Sequence, residues 1–252
     1  MPFKYLAILA LLAFQTGVAS AQTLKLLTAG AFKAVVLDIL PAFEAQSGVK
    51  VEVTSDTAGG LVKQIEAGAP FDVVIVTHDG IQRLASHGAV AADSARDVAR
   101  VGIGVGIRAG APVPALATVE QFTLALRAAK GIAYIDPASG GSSGIYLDGL
   151  FRQLGIADEV KSKAILVPRG LAADRVLSGE ADLALQQASE ILPVKGVVLA
   201  GLLPESIQSE TTYAAGVSAR TASRAAADQL MQSFGAALAM EAIRSRGMTA
   251  MP

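Results

Sequence analysis

The sequence predicts an α/β protein built from parallel β-sheets with helices on both faces. Short apolar runs alternate along the chain with longer segments in which apolar residues recur at every third or fourth position. The short runs indicate buried strands, and the longer segments indicate amphipathic helices. Several runs end in small, glycine-rich turns that open the next helix, an alternation that is typical of parallel sheets.

The first residues have the features of a secretory signal peptide. Lys4 supplies a positive charge, residues 6–14 are apolar, and residues 19–21 form a small-residue cleavage pattern. The apolar stretch is too short to span a membrane. We therefore predict a cleaved signal peptide over residues 1–21 and an exported, periplasmic chain that begins at Gln22. An uncleaved anchor is the alternative.

The composition excludes several classes of function. The 252 residues carry a formal net charge of −1, and this near-neutral charge argues against nucleic-acid binding, which requires a basic surface. There is no cysteine, which excludes disulfides and thiolate metal sites. His78 and His87 are the only histidines, which excludes a histidine-rich metal cluster, and we expect no cofactor and no metal.

The predicted strands are the apolar runs, in order along the chain. Residues 71–76 are almost continuously apolar, as expected for a parallel strand that is covered on both faces. Strands are predicted at 24–27, 49–53, 71–76, 101–107, 132–135, 164–167, 181–185, 197–200 and 213–217.

The predicted helices follow from apolar stripes and end signals. In the first helix, Pro41 predicts a kink because it lacks an N–H group, and Gly48 predicts the end. Thr118 and Gln121 have the spacing of a capping box before a later helix. Helices are predicted at about 32–47, 61–67, 79–87, 118–130, 146–154 and 171–178, with one long closing helix at 223–244.

Three glycine-rich junctions, at 28–32, 56–60 and 139–144, follow predicted strands. Ligands of parallel sheets bind beyond the carboxyl ends of the strands. The first turn of a helix offers an anion free N–H groups and the positive end of the helix dipole, and we expect the serines of 139–144 to cap their helix. Arg169, at a fourth junction, adds a positive charge. Together the junctions favour a pocket for an oxyanion or a carboxylate over ordinary helix capping.

The candidate ligand-binding residues come from these junctions and from two further strand ends, and no catalytic residue is assigned. They are Thr28, Gly30, Ala31, Phe32, Thr57, Ala58, Gly59, Thr77, Ser139, Gly140, Gly141, Ser142, Ser143, Gly144, Arg169 and Gln186.

Other positions leave two interpretations open. Tyr146 either lines the pocket or packs in the core, and we expect Gln187 to face outward beside Gln186. Arg169 either contacts the ligand or pairs with Asp174 or Glu180 at the surface. His78 lies either at the rim of the pocket or at the surface at the start of a helix, and we expect an ordinary surface histidine.

Five stretches, at 28–32, 43–51, 57–65, 68–75 and 178–183, resemble in order the periplasmic molybdate-binding proteins and their wider family of extracellular solute-binding proteins. They read TAGAF, FEAQSGVKV, TAGGLVKQI, GAPFDVVI and SGEADL. The resemblance extends over nearly the whole chain after residue 21, and its spacing is specific for the family rather than for a ligand.

This resemblance implies a two-lobe periplasmic binding protein of type II, a monomer that closes about a hinge and delivers a small anionic ligand to the permease of an ABC transporter. The chain is expected to cross between the lobes near residues 105 and 207. Lobe 1 is then 22–104 with 208–252, and lobe 2 is 105–207.

Two departures from the resemblance concern the ligand. Molybdate binders of this family use a serine in each of the first two loops, whereas those positions here fall on Gly30 or Ala31 and on Ala58 or Gly59, with Thr28 and Thr57 as neighbours. A buried anion that loses hydrogen-bond donors is strongly destabilised. Arginine, by contrast, matches a carboxylate with two contacts. We therefore expect a carboxylate or an oxyanion other than molybdate.

The resemblance also implies an alternative, because some periplasmic aconitate isomerases are similar to the same scaffold. Such an enzyme needs a cationic clamp, for which Arg169 is the candidate, and a base that moves an allylic proton. His78 and Asp136 are the candidate bases. The sequence shows no evident acid–base pair, so a solute receptor without enzymatic activity is the expectation and the isomerase is the alternative.

Overall fold

The computed structural model describes residues 22–251, which form a mixed α/β structure. The predicted signal peptide at 1–21 lies outside the described residues. The strands are β1 (Thr23–Ala29), β2 (Lys50–Asp56), β3 (Val73–Thr77), β4 (Arg96–Arg108), β5 (Ile132–Ile135), β6 (Ala164–Val167), β7 (Leu183–Gln187), β8 (Val197–Leu202), β9 (Glu210–Val217) and β10 (Thr249–Ala250).

The helices connect these strands and cover both faces of the sheet. They are α1 (Gly30–Ser47), α2 (Ala58–Glu66), α3 (His78–Ser86), α4 (Val119–Ala128), α5 (Ser142–Gln153), α6 (Ala157–Lys161), α7 (Ala173–Ser178), α8 (Ala188–Ile191), α9 (Arg224–Ser233) and α10 (Ala237–Ser245). No helix within the described range is long and apolar enough to cross a membrane.

The strands form two half-sheets that share β4. The first half-sheet has the order β2-β1-β3-β9-β4, with β10 beside β4, and the second has the order β4-β7-β5-β6, with β8 beside β4. The strands around β1 and around β5 pair in parallel, as predicted. β4 and β9 run antiparallel to their neighbours, a direction that apolar periodicity does not reveal.

β4 carries the chain from one hydrophobic core into the next. Val98, Ala99 and Val101 are buried in the core around the first half-sheet, whereas Ile103 and Val105 are buried in a core of the second. A further core lies on the other face of the second half-sheet, beneath α7 and α8. The strand predicted at 101–107 begins earlier, at Arg96. The apolar pattern did not reveal its first half, because charged residues interrupt the pattern there.

The first and last helices pack together, and the last one differs from the prediction. α1 continues through Pro41 and ends at Gly48, whose left-handed backbone (φ 70°) lets its N–H group donate to Glu44 O at 3.0 Å. The single closing helix predicted at 223–244 is wrong. The helix breaks at Phe234 and Gly235, where Phe234 turns into the core and stacks edge-on against Phe32 at 6.0 Å. Glycine favours such a break because it is a poor helix former.

Candidate functional site

A cleft of about 270 Å³ lies between the carboxyl ends of strands from the two half-sheets. The ends of β1 and β2 form one wall, and the segments after β5 and β6 form the other. The predicted ligand-binding residues that line it are Gly30, Ala31, Thr57, Ala58, Gly141, Ser142, Ser143 and Arg169.

Two helices begin at this cleft without a side-chain cap. The residues at the N-cap positions are Ala29 for α1 and Gly141 for α5. Neither has a polar side chain that could accept a capping hydrogen bond. The predicted capping of α5 by serines is wrong, because Ser142 and Ser143 lie in its first turn rather than before it. Since the first N–H groups of a helix have no acceptor within the helix, both helices offer free donors and a positive dipole end to the cleft.

The neighbouring helix α2 is capped in the usual way. Thr57 Oγ1 accepts a hydrogen bond from the Gly60 N–H group at 3.1 Å and donates one to Ser139 O at 2.5 Å. The Thr57 hydroxyl is therefore already engaged, so it leaves little hydrogen-bonding capacity for a ligand.

Two cationic side chains, Arg169 and Lys33, line the cleft and are exposed. Within residues 22–251 neither forms a salt bridge. The alternative pairing of Arg169 with Asp174 or Glu180 is therefore not found among the described residues, and Glu180 pairs instead with Arg175 at 3.1 Å. Sequence reasoning missed Lys33, which stands on the polar face of α1, where a lysine is unremarkable.

Glu190 is the one side chain in the cleft that is both acidic and almost fully buried among the described residues. Its carboxyl packs on the start of α1, where a Cβ atom added to Gly30 would lie 2.5 Å from Glu190 Oε1. Burial raises the pKa of Glu190 from 4.5 to about 8. Sequence reasoning missed this residue. An acidic residue three positions after the buried strand end at 183–187, within an apolar segment, is the signal that could have found it.

A buried polar network lies beside Glu190 and joins the two half-sheets. Ser142 Oγ and Tyr213 Oη are 3.3 Å apart, and Gln187 Nε2 donates to Ser142 Oγ at 3.2 Å and to Thr211 Oγ1 at 2.9 Å. Burial, followed by the charge of Glu190, raises the pKa of Tyr213. The expectation that Gln187 faces outward is wrong, because the end of β7 is covered on both faces.

Gln186 has a supporting position behind the cleft. Its side chain accepts a hydrogen bond from the Ala172 N–H group at 2.7 Å and donates one to Gly170 O at 3.0 Å. These bonds hold the loop that carries Arg169. Gln186 therefore positions a cleft residue without lining the cleft itself.

The loops after β2 and β5 touch each other across the cleft. The Gly59 N–H group donates to Gly140 O at 3.0 Å. A Cβ atom added to Gly59 would lie 2.8 Å from Gly140 O, so both positions require the absence of a side chain. Gly59, Ser139 and Gly140 thus hold the two walls together.

The remaining predicted residues lie away from the cleft. Thr28 and Phe32 are buried in the core, and the Thr28 hydroxyl donates to Ala29 O at 3.1 Å. Thr77 caps α3, and Gly144 packs against the end of β5, where a Cβ atom would lie 2.0 Å from Ile135 O. Tyr146 packs in the second core and donates to Ile207 O at 2.8 Å.

The two candidate bases are also absent from the cleft. His78 is exposed and contacts Asp97 at 2.7 Å, which raises the pKa of the histidine. Asp136 accepts a hydrogen bond from the Ala138 N–H group at 2.9 Å within its own turn. Any acid–base chemistry in the cleft therefore depends on other residues, of which Glu190 is the one with a suitably raised pKa.

A wider depression of about 840 Å³ lies at the opposite edge of the first half-sheet, near Lys25 and Asp72. It contains none of the predicted residues. Arg83 and His87 within it both contact Glu66, at 2.6 and 3.4 Å. Its charges are thus partly neutralised, and it lacks the uncapped helix ends of the cleft.

Comparisons with known proteins agree with this architecture. The family model described as bacterial extracellular solute-binding protein matches residues 24–249. The chain is 31% identical to an aconitate isomerase of a Pseudomonas species, over 98% of this chain and 96% of that protein.

Two solved structures share the fold at lower identity. The periplasmic molybdate-binding protein of Azotobacter vinelandii superposes with a TM-score of 0.76 and 23% identity, over 91% of this chain and 99% of its own. The sulfate-binding protein SubI of Mycobacterium tuberculosis superposes with a TM-score of 0.73 and 17% identity, over 90% of this chain and 86% of its own. These likenesses confirm the predicted two-lobe fold.

We predict that Glu190 makes the free protein less stable as the pH rises. Its pKa is about 8 in the folded chain and 4.5 ordinarily, so its stabilising contribution is complete below pH 4.5 and is lost as the pH rises to about 8. Thermal unfolding of Glu190→Gln between pH 5 and pH 8 should therefore show a smaller decline than the wild type. Glu241→Gln, on the exposed face of α10, serves as the control. Equal declines in wild type and Glu190→Gln would contradict the raised pKa.

Proposed function

This chain belongs to the bacterial extracellular solute-binding proteins, and we propose that it binds a small carboxylate in the cleft and presents it to the permease of an ABC importer. The observation that carries the proposal is the pair of cations Arg169 and Lys33, which form no salt bridge within residues 22–251, beside two uncapped helix N-termini. All four features attract negative charge, and a ligand with more than one carboxylate can use them together.

The chemistry of the donors favours a carboxylate over molybdate. The loop positions at Gly30 and Ala58 carry no hydroxyl, and the hydroxyl of Thr57 is engaged with Ser139 O. A guanidinium such as that of Arg169 matches the two oxygens of a carboxylate. A cleft of about 270 Å³ suits a small metabolite, since pockets for drug-sized ligands are usually larger.

The proposal includes export to the periplasm and closure of two lobes. We place the lobes at 22–104 with 208–252 and at 105–207. The first boundary lies two residues beyond the point, between Gly102 and Ile103, where β4 changes from pairing with β9 to pairing with β7. Residue 207 directly precedes β9, which returns the chain to the first half-sheet. Opening about these segments would break the contacts between Thr57 or Gly59 and the opposite loop.

A second candidate function is the isomerisation of a tricarboxylate, for which the relative named an aconitate isomerase is the specific support. A base would remove a proton from a CH₂ group next to the double bond. The electron pair would spread over the allylic system, and a proton would return to the other allylic carbon. Glu190 is the cleft residue suited to carry this proton, and Arg169 is suited to hold a carboxylate.

We predict that carboxylates bind and molybdate does not. Isothermal calorimetry should give heats of saturable binding for trans-aconitate or tricarballylate, and little heat for molybdate or sulfate, because the hydroxyl donors of an oxyanion cage are missing. Tight binding of molybdate would show that backbone N–H groups alone suffice, and would contradict the preference for carboxylates.

We predict that Arg169→Ala weakens carboxylate binding by roughly 2–5 kcal/mol once the cleft closes, which is about 30-fold to several thousand-fold in affinity. Arg169→Lys should restore only part, since lysine lacks the bidentate contact. Arg175→Ala is the matched control, because Arg175 pairs with Glu180 outside the cleft. An unchanged affinity in Arg169→Ala would remove the main support for a carboxylate ligand.

The isomerase candidate has its own test. If the chain is an isomerase, the purified protein should convert trans-aconitate to the cis isomer, followed by chromatography, and Glu190→Gln should abolish turnover while it still binds. Binding of trans-aconitate with no conversion by the wild type would leave the solute receptor as the function and would contradict the isomerase.

A further inference from the structure

We propose that Glu190 contacts the bound anion as a neutral carboxylic acid and donates a hydrogen bond to it, so that ligand binding requires one proton on this side chain. This inference rests on the proposed function, because it assumes an anionic ligand in the same cleft.

The position of Glu190 is the first support. Its side chain is almost fully buried yet lines the cleft together with Arg169, Lys33 and Ser142. Its carboxyl lies against Gly30, at the first turn of α1, where an anion would receive N–H groups. A ligand that uses this helix end is therefore brought next to the Glu190 carboxyl.

The surroundings of Glu190 offset a negative charge only in part. Burial raises the pKa of its carboxyl, and a hydrogen bond with the Gln186 side chain lowers that pKa by less. Within the described chain Glu190 forms no salt bridge. The charged or titratable groups that share the cleft with it are Lys33 on α1, Asp56 on β2, Arg169 after β6 and Tyr213 on β9.

The elements packed against α8 supply no further partner in the cleft. α8 contacts α1, β4, β7 and β8, and neither β7 nor β8 carries a titratable side chain. The titratable side chains of β4 do not line the cleft. Besides Lys33, α1 carries two titratable side chains, and both form salt bridges elsewhere, Asp38 with Arg246 and Glu44 with Lys50.

Two negative charges in one closed cleft repel each other strongly, since each has lost its water. Glu190 already has a pKa raised to about 8 by burial, so at neutral pH it is mostly protonated before a ligand arrives. An anion beside it favours the neutral form further. The neutral acid then supplies an O–H donor beside Gly30, a position that carries no hydroxyl of its own.

The consequence is a specific ligand preference. A protonated Glu190 donates to an ionised carboxylate oxygen, which accepts. A side chain at position 30 would collide with Glu190, so the observed position of the Glu190 carboxyl requires a glycine at position 30. The ligand class is therefore an ionised polycarboxylate with one oxygen near the start of α1.

The test uses tricarballylate, a saturated tricarboxylate that cannot undergo allylic isomerisation. Its binding to the wild type is measured by calorimetry from about pH 6.5 to about pH 9.5, in buffers of different ionisation enthalpy. Affinity should be nearly constant below pH 7.5 and fall by up to tenfold per pH unit above pH 8, while proton uptake per bound ligand rises from about zero towards one. Glu190→Gln should bind with little pH dependence and take up no proton.

Asp56→Asn is the matched control, because Asp56 is the other carboxylate in the cleft and already accepts hydrogen bonds from Thr57 N and Gln64 Nε2, both at 2.8 Å. It should retain the pH dependence of the wild type. Wild-type binding without pH dependence, or the same pH dependence in Glu190→Gln, would overturn the role of Glu190 and leave carboxylate binding intact.

A measurement without a ligand separates the two proposals. The infrared spectrum of the wild type, minus that of Glu190→Gln, should contain the C=O band of a protonated carboxyl at pH 6.5, and this band should disappear near pH 9. Absence of binding by tricarballylate would contradict the proposed function alone. Absence of the band at pH 6.5 would overturn the role of Glu190 whatever the ligand is.

Discussion

The geometry of the cleft depends on the direct contact of two backbones, at Gly59 and Gly140. The N–H group of one donates to the carbonyl of the other, and neither position has room for a Cβ atom. This contact sets how closely the ends of β2 and β5 approach each other. It therefore also sets the separation between the start of α1 on one wall and the start of α5 on the other. A side chain at either glycine would spread the walls, and the two helix ends would no longer face one small volume.

Charge balance is the second constraint, and it follows from this closeness. Two uncapped helix ends and two cations that have no salt-bridge partner in the described part of the chain give the cleft an excess of positive potential, which suits the binding of an anionic solute. Glu190 opposes this excess in the same volume, without an ionic partner among the described residues. A buried carboxylate without a partner is costly, so the neutral form is favoured, and this accounts for its raised pKa. Tyr213 and Ser142, which also line the cleft, are hydrogen-bonded to each other.

The sequence allowed the alternation of strands and helices to be predicted well, because burial on both faces leaves continuous apolar runs such as β3 and β5. It also identified the junctions that form the cleft walls, since a turn from a strand into a helix is marked by glycines and hydroxyl residues next to the strand in the sequence. Glu190 and Lys33 were missed for a different reason. Their importance comes from what the fold brings next to them, which is Gly30 for Glu190 and the opposite wall of the cleft for Lys33. Neither neighbour is local in sequence. The same holds for Thr28, whose hydroxyl looks available in the sequence but turns to Ala29 O inside the core.

The two candidate functions need the same cleft and differ in what happens to one proton. A solute receptor requires Glu190 to keep its proton while the ligand is held, because the hydrogen bond it donates is part of the binding. An isomerase requires Glu190 to give a proton up and take one back at a different carbon, which needs the ligand carbon rather than a carboxylate oxygen next to Oε1. The first arrangement follows if a ligand carboxylate occupies the start of α1, and the second if the carboxylates are all held by Arg169, Lys33 and the start of α5. The orientation of the ligand, more than the identity of the residues, then separates transport from catalysis on this scaffold.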